Sequence, residues 1–344
     1  MSGTKLVMGA SGFLGSHVTR QLVERGDQVR VWIRESSSTV AFDDLEVERH
    51  HGDLDDDAAL RAAMKDVETV FYCVVDTRAW LRDPAPLFAT NVEALRHVLD
   101  AAVEVGVPKF VFCSTVGTIA TTKSGLADEA MTHNWRHLGG AYIESRIQAE
   151  ELVLSYHHEH GLPAVVLNVG TTYGPGDHGR TPHGNLVRSA ALGRMPAYAR
   201  AGTVEVVGIE DAARAFLLAE EHGRPGERYI VSEGLLTYRD LFDIAADEGG
   251  VAPAKLGIPH AVMRVIGAIG GGVSLMLRKD SVVSPTSVRL MHIQSALDHS
   301  KATRELGWQP APTEDSIRAA VRWYLEQRAR MRSASAGHAD DDAS

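Results

Sequence analysis

The chain has 344 residues, 44% of them hydrophobic and 23% charged, which is ordinary for a soluble globular protein and long enough for a large core with a second lobe. A formal net charge of -10 argues against nucleic acid or an anionic membrane surface as the main partner and directs expectation to a small-molecule ligand. The only two cysteines, Cys73 and Cys113, with no targeting segment ahead of the first strand, are expected to be reduced, buried thiols in a cytoplasmic protein.

Leu6-Val7-Met8 reads as a short apolar strand and residues 13–25 as an amphipathic helix, with Gly9-Ala10-Ser11-Gly12-Phe13-Leu14-Gly15 spanning the junction. A turn without side chains lets the backbone close on a pyrophosphate, whose charge is held by the exposed N–H groups and positive dipole end of the helix. The spacing is G-x-x-G-x-x-G, one residue longer in its first gap than G-x-G-x-x-G, and an ordinary strand-turn-helix corner is the competing reading. The regular alternation of strands and helices downstream weighs against a plain corner. Strands are predicted at residues 29–33, 47–51, 69–75, 109–113 and 164–167, with helices at 56–64, 86–105 and 141–158. Short, nearly continuous apolar strands alternating with helices imply an α/β fold, a doubly wound parallel Rossmann sheet covered on both faces, with ligands at the carboxyl ends of its strands.

The end of the second strand, Ile33-Arg34-Glu35-Ser36-Ser37, bears on the cofactor. An acid there accepts from a ribose 2′-hydroxyl, whereas an arginine pairs with a 2′-phosphate. Arg34, with Ser36 and Ser37 beside it, favours NADP, and Glu35 keeps NAD open. Asp53, in Gly52-Asp53-Leu54 after the third strand, is a candidate acceptor for the adenine amino group or else a turn residue. The fifth strand runs out into Cys113-Ser114-Thr115-Val116, and the next long helix carries Tyr142 and Arg146 four apart on one face. A hydroxyl, a phenol and a cation together polarise a carbonyl, donate a proton to the forming alkoxide and favour the phenolate in the reverse direction. Ser114 is the adjacent rival for the role of Thr115.

With these residues in place, the chain resembles the extended short-chain dehydrogenases/reductases, the NAD-dependent epimerase/dehydratase superfamily, and within it the branch of dihydroflavonol reductases and 3β-hydroxysteroid dehydrogenases. The resemblance also rests on Asn91-Val92, Tyr173-Gly174-Pro175-Gly176-Asp177, Asp211-Ala212-Ala213-Arg214-Ala215 and Leu306-Gly307-Trp308-Gln309-Pro310. It implies that Thr115, Tyr142 and Arg146 are the catalytic group, Arg146 standing where the family has a lysine on the nicotinamide ribose. It implies a cofactor site of Gly9, Ser11, Gly12, Phe13, Leu14, Gly15, Arg34, Asp53, Leu54, Cys73, Val74, Asn91, Tyr142, Arg146 and Val169. It further implies a Rossmann domain over residues 1–169, a smaller C-terminal substrate-binding lobe mainly over 170–325 with pieces near 204–232 returning to the main sheet, and a homodimer.

Two departures stand out: arginine for the lysine, and Asn168-Val169 for the family's Arg-Pro. Arginine keeps the charge but is a bulkier, planar donor fork. Reduction needs only a protonated phenol, whereas oxidation needs its pKa lowered by about three units, roughly 4 kcal/mol, so reduction should tolerate the change better.

The histidine run His157-His158-Glu159-His160 lacks a metal-binding arrangement, and no metal is expected. Residues 265–277 are uncharged, broken by Gly270-Gly271-Gly272 and flanked by Arg264 and Arg278-Lys279. The run is shorter than the ~20 residues that span a bilayer, so no transmembrane segment is expected. A cap over the substrate pocket is the favoured reading, with peripheral membrane contact as its rival. Either fits an apolar substrate such as a lipid-like, steroid-like or aromatic ketone. A nucleotide-sugar epimerase or dehydratase with tightly bound NAD and a catalytically impaired dinucleotide sensor are the alternatives. Residues 326–344 read as a disordered tail.

Overall fold

The computed structural model of the protein describes residues 3–341. Its first half alternates strand and helix: β1 (Thr4–Met8), α1 (Phe13–Arg25), β2 (Gln28–Ile33), β3 (Glu48–His51), α2 (Asp57–Met64), β4 (Val67–Tyr72), α3 (Ala85–Phe88), α4 (Ala94–Val105), β5 (Lys109–Thr115), α5 (Gly140–His160) and β6 (Ala164–Val169). The remainder comprises β7 (Thr171–Tyr173), α6 (Pro182–Ala191), β8 (Ala197–Ala199), β9 (Thr203–Gly208), α7 (Ile209–His222), β10 (Arg228–Val231), β11 (Gly234–Thr237), α8 (Tyr238–Glu248), β12 (Leu256–Ile258), α9 (His260–Leu277), α10 (Pro285–Leu290), α11 (Ser300–Leu306) and α12 (Thr313–Asp341).

The main sheet has seven strands in the order β10-β6-β5-β4-β1-β2-β3, every pair parallel. Strand order reverses at β1, so the crevice beyond the carboxyl ends of β1 and β4 is the switch point where such sheets bind ligands. Side chains alternate across the sheet. Val7, Val31, Phe71, Val111 and Leu167 pack with Val18 and Leu22 of α1 and Phe216 of α7 on one face. Leu6, Met8, Tyr72, Phe110 and Phe112 pack with Leu60 of α2, Leu99 of α4 and Val153 of α5 on the other. Burial on both faces explains why the strands read as continuous apolar runs.

The expected helix over 86–105 is interrupted by a π-turn at Ala89–Glu93, joining α3 to α4 and burying Asn91 and Val92. The chain leaves the main sheet at Gly170, and β7, β9 and β11 form a separate three-stranded sheet. Only one of the pieces near 204–232 therefore returns: β10 pairs with β6, whereas β9 turns Val204 and Val206 into the second lobe's own core with Tyr173, Val187, Leu241, Phe242, Ile317 and Val321. The tail expected to be disordered is instead helical through Asp341, as part of α12, and residues 342–344 lie outside the described residues. Ala, Glu, Gln, Arg and Met favour helix there and no proline interrupts it. Its first turns are anchored by Ile317 and Val321. The apolar segment also differs from expectation. Starting after Pro259, α9 includes Arg264, and by length and composition it is long and apolar enough to cross a membrane.

Glu205 on β9 is 1% exposed and accepts hydrogen bonds from the Ser232 hydroxyl and, at 3.2 Å, from the Leu297 N–H. Burial pushes its carboxyl up to about 7. The unfolded chain releases this proton near the ordinary carboxylate value, so between about pH 4.5 and 7 the folded protein holds the extra proton and stability falls as pH rises, by roughly 3 kcal/mol at most. Glu205→Gln should remove this contribution: urea midpoints measured near pH 5 and near pH 7 should lie closer together in the variant than in the wild type. Equal separations would mean the carboxyl is ionised throughout.

Candidate active site

The turn after β1 depends on backbone that side chains cannot share. Gly9 has φ +90° and packs so closely on β4 that a Cβ would lie 2.9 Å from the Cys73 carbonyl carbon. A Cβ on Gly15 would run into the Gly9 carbonyl oxygen. Helix α1 consequently starts hard against the end of β1. Its N-cap is Gly12, exposed and making no side-chain cap, so the first-turn N–H groups face the rim without a side-chain acceptor. Ser11, Phe13 and Leu14 lie partly buried around the turn.

At the end of β2, Arg34 and Glu35 are both exposed. Glu35 pairs with His51 at 3.3 Å, while the Arg34 guanidinium has no hydrogen-bond or ion-pair partner among the described residues. Asp53 is exposed in the turn into α2, its carbonyl accepting from the Asp56 N–H at 3.2 Å, and Leu54 packs beside it against the core.

Strand β5 ends at Thr115, in register with Val169 of β6. The Ser114 hydroxyl donates to Glu150 at 2.5 Å, in a buried network where Thr118, Asn168 and Arg228 each donate to the same carboxylate at 2.8 Å. Ser114 is thereby removed as a rival. The Thr115 hydroxyl accepts from the Gly117 N–H at 3.1 Å and hydrogen-bonds with Tyr142. The Tyr142 phenol is held above its ordinary value, chiefly by burial. The Arg146 charge and Thr115 oppose this rise, and Cys113 and Asp76 add to it. The phenol therefore keeps its proton at neutral pH and is an acid.

Arg146 lies one turn on and is 1% exposed. Its Nη2 donates to the Cys113 carbonyl and its Cζ sits 5.2 Å from the Phe112 ring centre. Its Nε and Nη1 are buried and find no partner among the described residues. Buried donors of a cation are nearly always satisfied, so two orphans beside the phenol mark a place where a polar ligand belongs.

Asn91 has a different part. It is 1% exposed, its Oδ1 accepts from the Asp76 N–H at 2.8 Å, and its Nδ2 donates to the Asp76 carbonyl and Ser145 Oγ, each at 3.0 Å. Its side chain clamps the loop after β4 to α5, leaving no polar group free for the rim. Cys73 and Val74 supply backbone against Gly9, and both cysteines are free thiols, with burial raising Cys113 to about 11. Sequence reasoning missed Glu150 and Asp76. Glu150 continues the stripe of Tyr142 and Arg146 along α5 and was detectable by spacing; Asp76 carried no signal beyond its position after β4.

The roof over Tyr142 comes from α10 and the segment after it, not from α9. Leu290 and Ile293 pack with Tyr142 on Trp135, Ile143 and Ile147, and a Cβ on Gly140 would sit 2.9 Å from the Thr286 methyl. Helix α9 packs outside α10, with Gly267 against Val288, and leaves most of its apolar side chains exposed. The favoured expectation for 265–277, a cap over the pocket, is therefore corrected. A concavity of about 750 Å³ at the opposite, amino-terminal rim is lined by charges already paired, Glu220 lying 2.6 Å from both Lys5 and Arg25, and is not the site.

A family model described as the NAD dependent epimerase/dehydratase family matches residues 5–232. The chain is 30% identical over 326 residues to sterol demethylase protein B of Methylococcus capsulatus, covering 94% of this chain and 99% of that protein. It is 28% identical over 341 residues to dTDP-glucose 4,6-dehydratase of Streptomyces antibioticus, covering 94% and 93%. The crystal structure of gox2253 superposes with a TM-score of 0.84 at 31% identity, covering 94% of this chain and 98% of that one.

Arg146→Met removes a buried cation whose one hydrogen bond among the described residues is to the Cys113 carbonyl. The melting temperature of the unliganded protein should hold or rise, in contrast to the 3–5 kcal/mol, roughly, lost when a fully paired buried charge is broken. Differential scanning calorimetry checks this, and a fall of many degrees would show that the Cys113 bond and Phe112 stacking outweigh the cost of burial.

Proposed function

The chain belongs to the NAD-dependent epimerase/dehydratase family of extended short-chain dehydrogenases/reductases, NAD(P)-dependent enzymes, and from that premise we propose that it reduces a ketone, or oxidises the matching secondary alcohol, on a mostly apolar small molecule with NADP as cofactor. The observation that carries this reading is the buried Arg146, its Nε and Nη1 unpaired among the described residues, one turn from a protonated Tyr142 beside the carboxyl end of β5.

The residues present fit a nicotinamide dinucleotide. Gly9, Ser11, Gly12, Phe13, Leu14 and Gly15 would hold its pyrophosphate; Asp53 and Leu54 its adenine; Cys73, Val74 and Val169 the walls of its path; Arg146 the nicotinamide ribose. When bound, such a group supplies or takes up a hydride. NADP is favoured because Arg34 is uncommitted where a 2′-phosphate would lie, whereas Glu35 is engaged by His51.

The chain's own groups do the proton chemistry. Tyr142 donates its phenolic proton to the carbonyl oxygen as negative charge develops there, and the Thr115 hydroxyl turns a hydrogen bond to the same oxygen. Packing beside Leu290 and Ile293 desolvates the half-buried Tyr142 and keeps the phenol protonated, which favours reduction, and the Arg146 charge limits the cost of the phenolate left behind. The apolar surface beside Tyr142 supports a ketone without charged groups, in keeping with the sterol enzyme among the relatives.

A second reading, nucleotide-sugar chemistry, is favoured by Arg188 on α6, whose Nε is buried without a partner among the described residues and so suits an anion in the second lobe. Absorbance decides between them. Reduction consumes NADPH one for one with product, whereas an epimerase or dehydratase that regenerates its cofactor shows no net change. Tyr142→Phe should bind NADPH as the wild type does and lose turnover by about 10²–10⁴-fold, and unchanged turnover would falsify the proposed acid. Arg34→Ala should weaken NADPH by roughly ten- to a hundred-fold and leave NADH unaffected, read as loss of the NADPH-induced thermal shift alone.

A further inference from the structure

We propose that α9 docks the protein on a phospholipid bilayer, lying in the interface with its apolar side chains among the acyl chains and its cationic residues at the headgroup phosphates. The exposure and chemistry of α9 carry this proposal, independently of the reaction proposed above.

Helix α9 has 18 residues, a mean hydropathy of 1.5 and only 11% of that span buried, whereas a core helix of such composition would be covered. Val265 is 58% exposed, Ile269 62% and Met276 76%, and Val262, Ile266, Val273, Leu275 and Leu277 are exposed with them. At 3.6 residues per turn these side chains sweep more than half the circumference, and only the stripe through Met263, Gly267, Gly270 and Ser274 faces the body of the protein. A flat protein partner covers one face of a helix; an acyl-chain medium covers every side that projects into it. Apolar patches of this extent on a monomer mark protein or membrane contacts, and the breadth of arc selects the membrane.

Charge agrees with that choice. No acid lies between His260 and Lys279, and the cations sit at Arg264 and at the helix end, Arg278 and Lys279, on a chain whose net charge is -10. Long cationic side chains at the margins of an apolar helix reach up to phosphates while their stems stay in the apolar layer. Both ends of the helix are tied to the body of the protein. His260 stacks on His292 at 4.0 Å between ring centres, Met263 packs into the second core, and just past the helix Asp280 accepts from the Arg82 N–H at 3.0 Å. Held at both ends, the helix lies along the surface in the plane of the interface.

The test is flotation of the full-length protein with vesicles of phosphatidylcholine alone and of phosphatidylcholine with phosphatidylglycerol. The wild type should float with both, more strongly with the anionic lipid. Ile269→Glu with Met276→Glu should cut the bound fraction by about ten-fold or more while leaving the melting temperature and NADPH-induced thermal shift intact. Arg278→Glu with Lys279→Glu should abolish the preference for phosphatidylglycerol. A wild type that stays with the unfloated protein on both vesicles overturns the proposal, as does a glutamate pair that floats like the wild type. So does light scattering in which that pair splits a dimer with vesicle binding absent, because a second copy would then cover the helix. Failure of the wild type to bind NADPH would strike the oxidoreductase reading and leave flotation to decide this one.

Discussion

The backbone-to-backbone approach of α1 to the end of β1 is the constraint on which the rest of the molecule depends. With Gly9 at φ +90° against Cys73 and Gly15 against the Gly9 carbonyl, the helix axis is brought up to the sheet at the one place where strand order reverses. Any side chain at either position would lift the helix off the sheet, and the first-turn N–H groups would no longer converge on the rim. The parallel sheet, the crevice beyond it and the direction of the helix dipole all follow from that contact. The last motif in the chain closes on the helix beside it: the Trp308 indole N–H donates to the Asp211 carbonyl at 2.9 Å and buries its ring against α7.

Opposite the turn, the end of β5 meets α5 at two levels. Thr115 interacts with Tyr142, and Ser114, one residue earlier, is locked to Glu150 farther along the same helix. Because Glu150 also takes bonds from Asn168 of β6 and Arg228 of β10, one buried carboxylate fastens α5 to three adjacent strands. A satisfied buried network of this kind rigidifies its surroundings. Tyr142 and Arg146 are thus mounted on a helix whose position over the sheet is fixed two turns along from the phenol.

What the amino-acid sequence made legible was local and periodic. Helix α1 has the predicted ends, and the predicted strands at 29–33, 109–113 and 164–167 are all present, because glycine punctuation and apolar runs are short-range signals. The choice between Ser114 and Thr115 was decided by a tertiary partner that no local signal announces, the Glu150 carboxylate that takes up the Ser114 hydroxyl. Asn91 was illegible as a clamp because its partners, Asp76 and Ser145, come from distant segments. The isolation of the Arg146 donors was hidden for the same reason. For β9 and β10 the sequence shows two similar apolar runs, and only the packing of Val204 and Val206 decides that β9 leaves the main sheet. In the tail, composition was weighed as polarity when its helix propensity was the stronger term.

Helix α10 and the first turn of α5 are joined as a single piece: Arg289 donates to the Leu138 carbonyl at 3.0 Å, and Gly140, at φ +71°, leaves space on its α10 side for nothing larger than a hydrogen beside Thr286. Those contacts bear on the acid, because Leu290 and Ile293 pack with Tyr142 around Trp135, Ile143 and Ile147, and burial is the largest cause of the raised phenol. How firmly Tyr142 keeps its proton is therefore set partly from outside its own helix, by a segment that arrives from the far end of the chain.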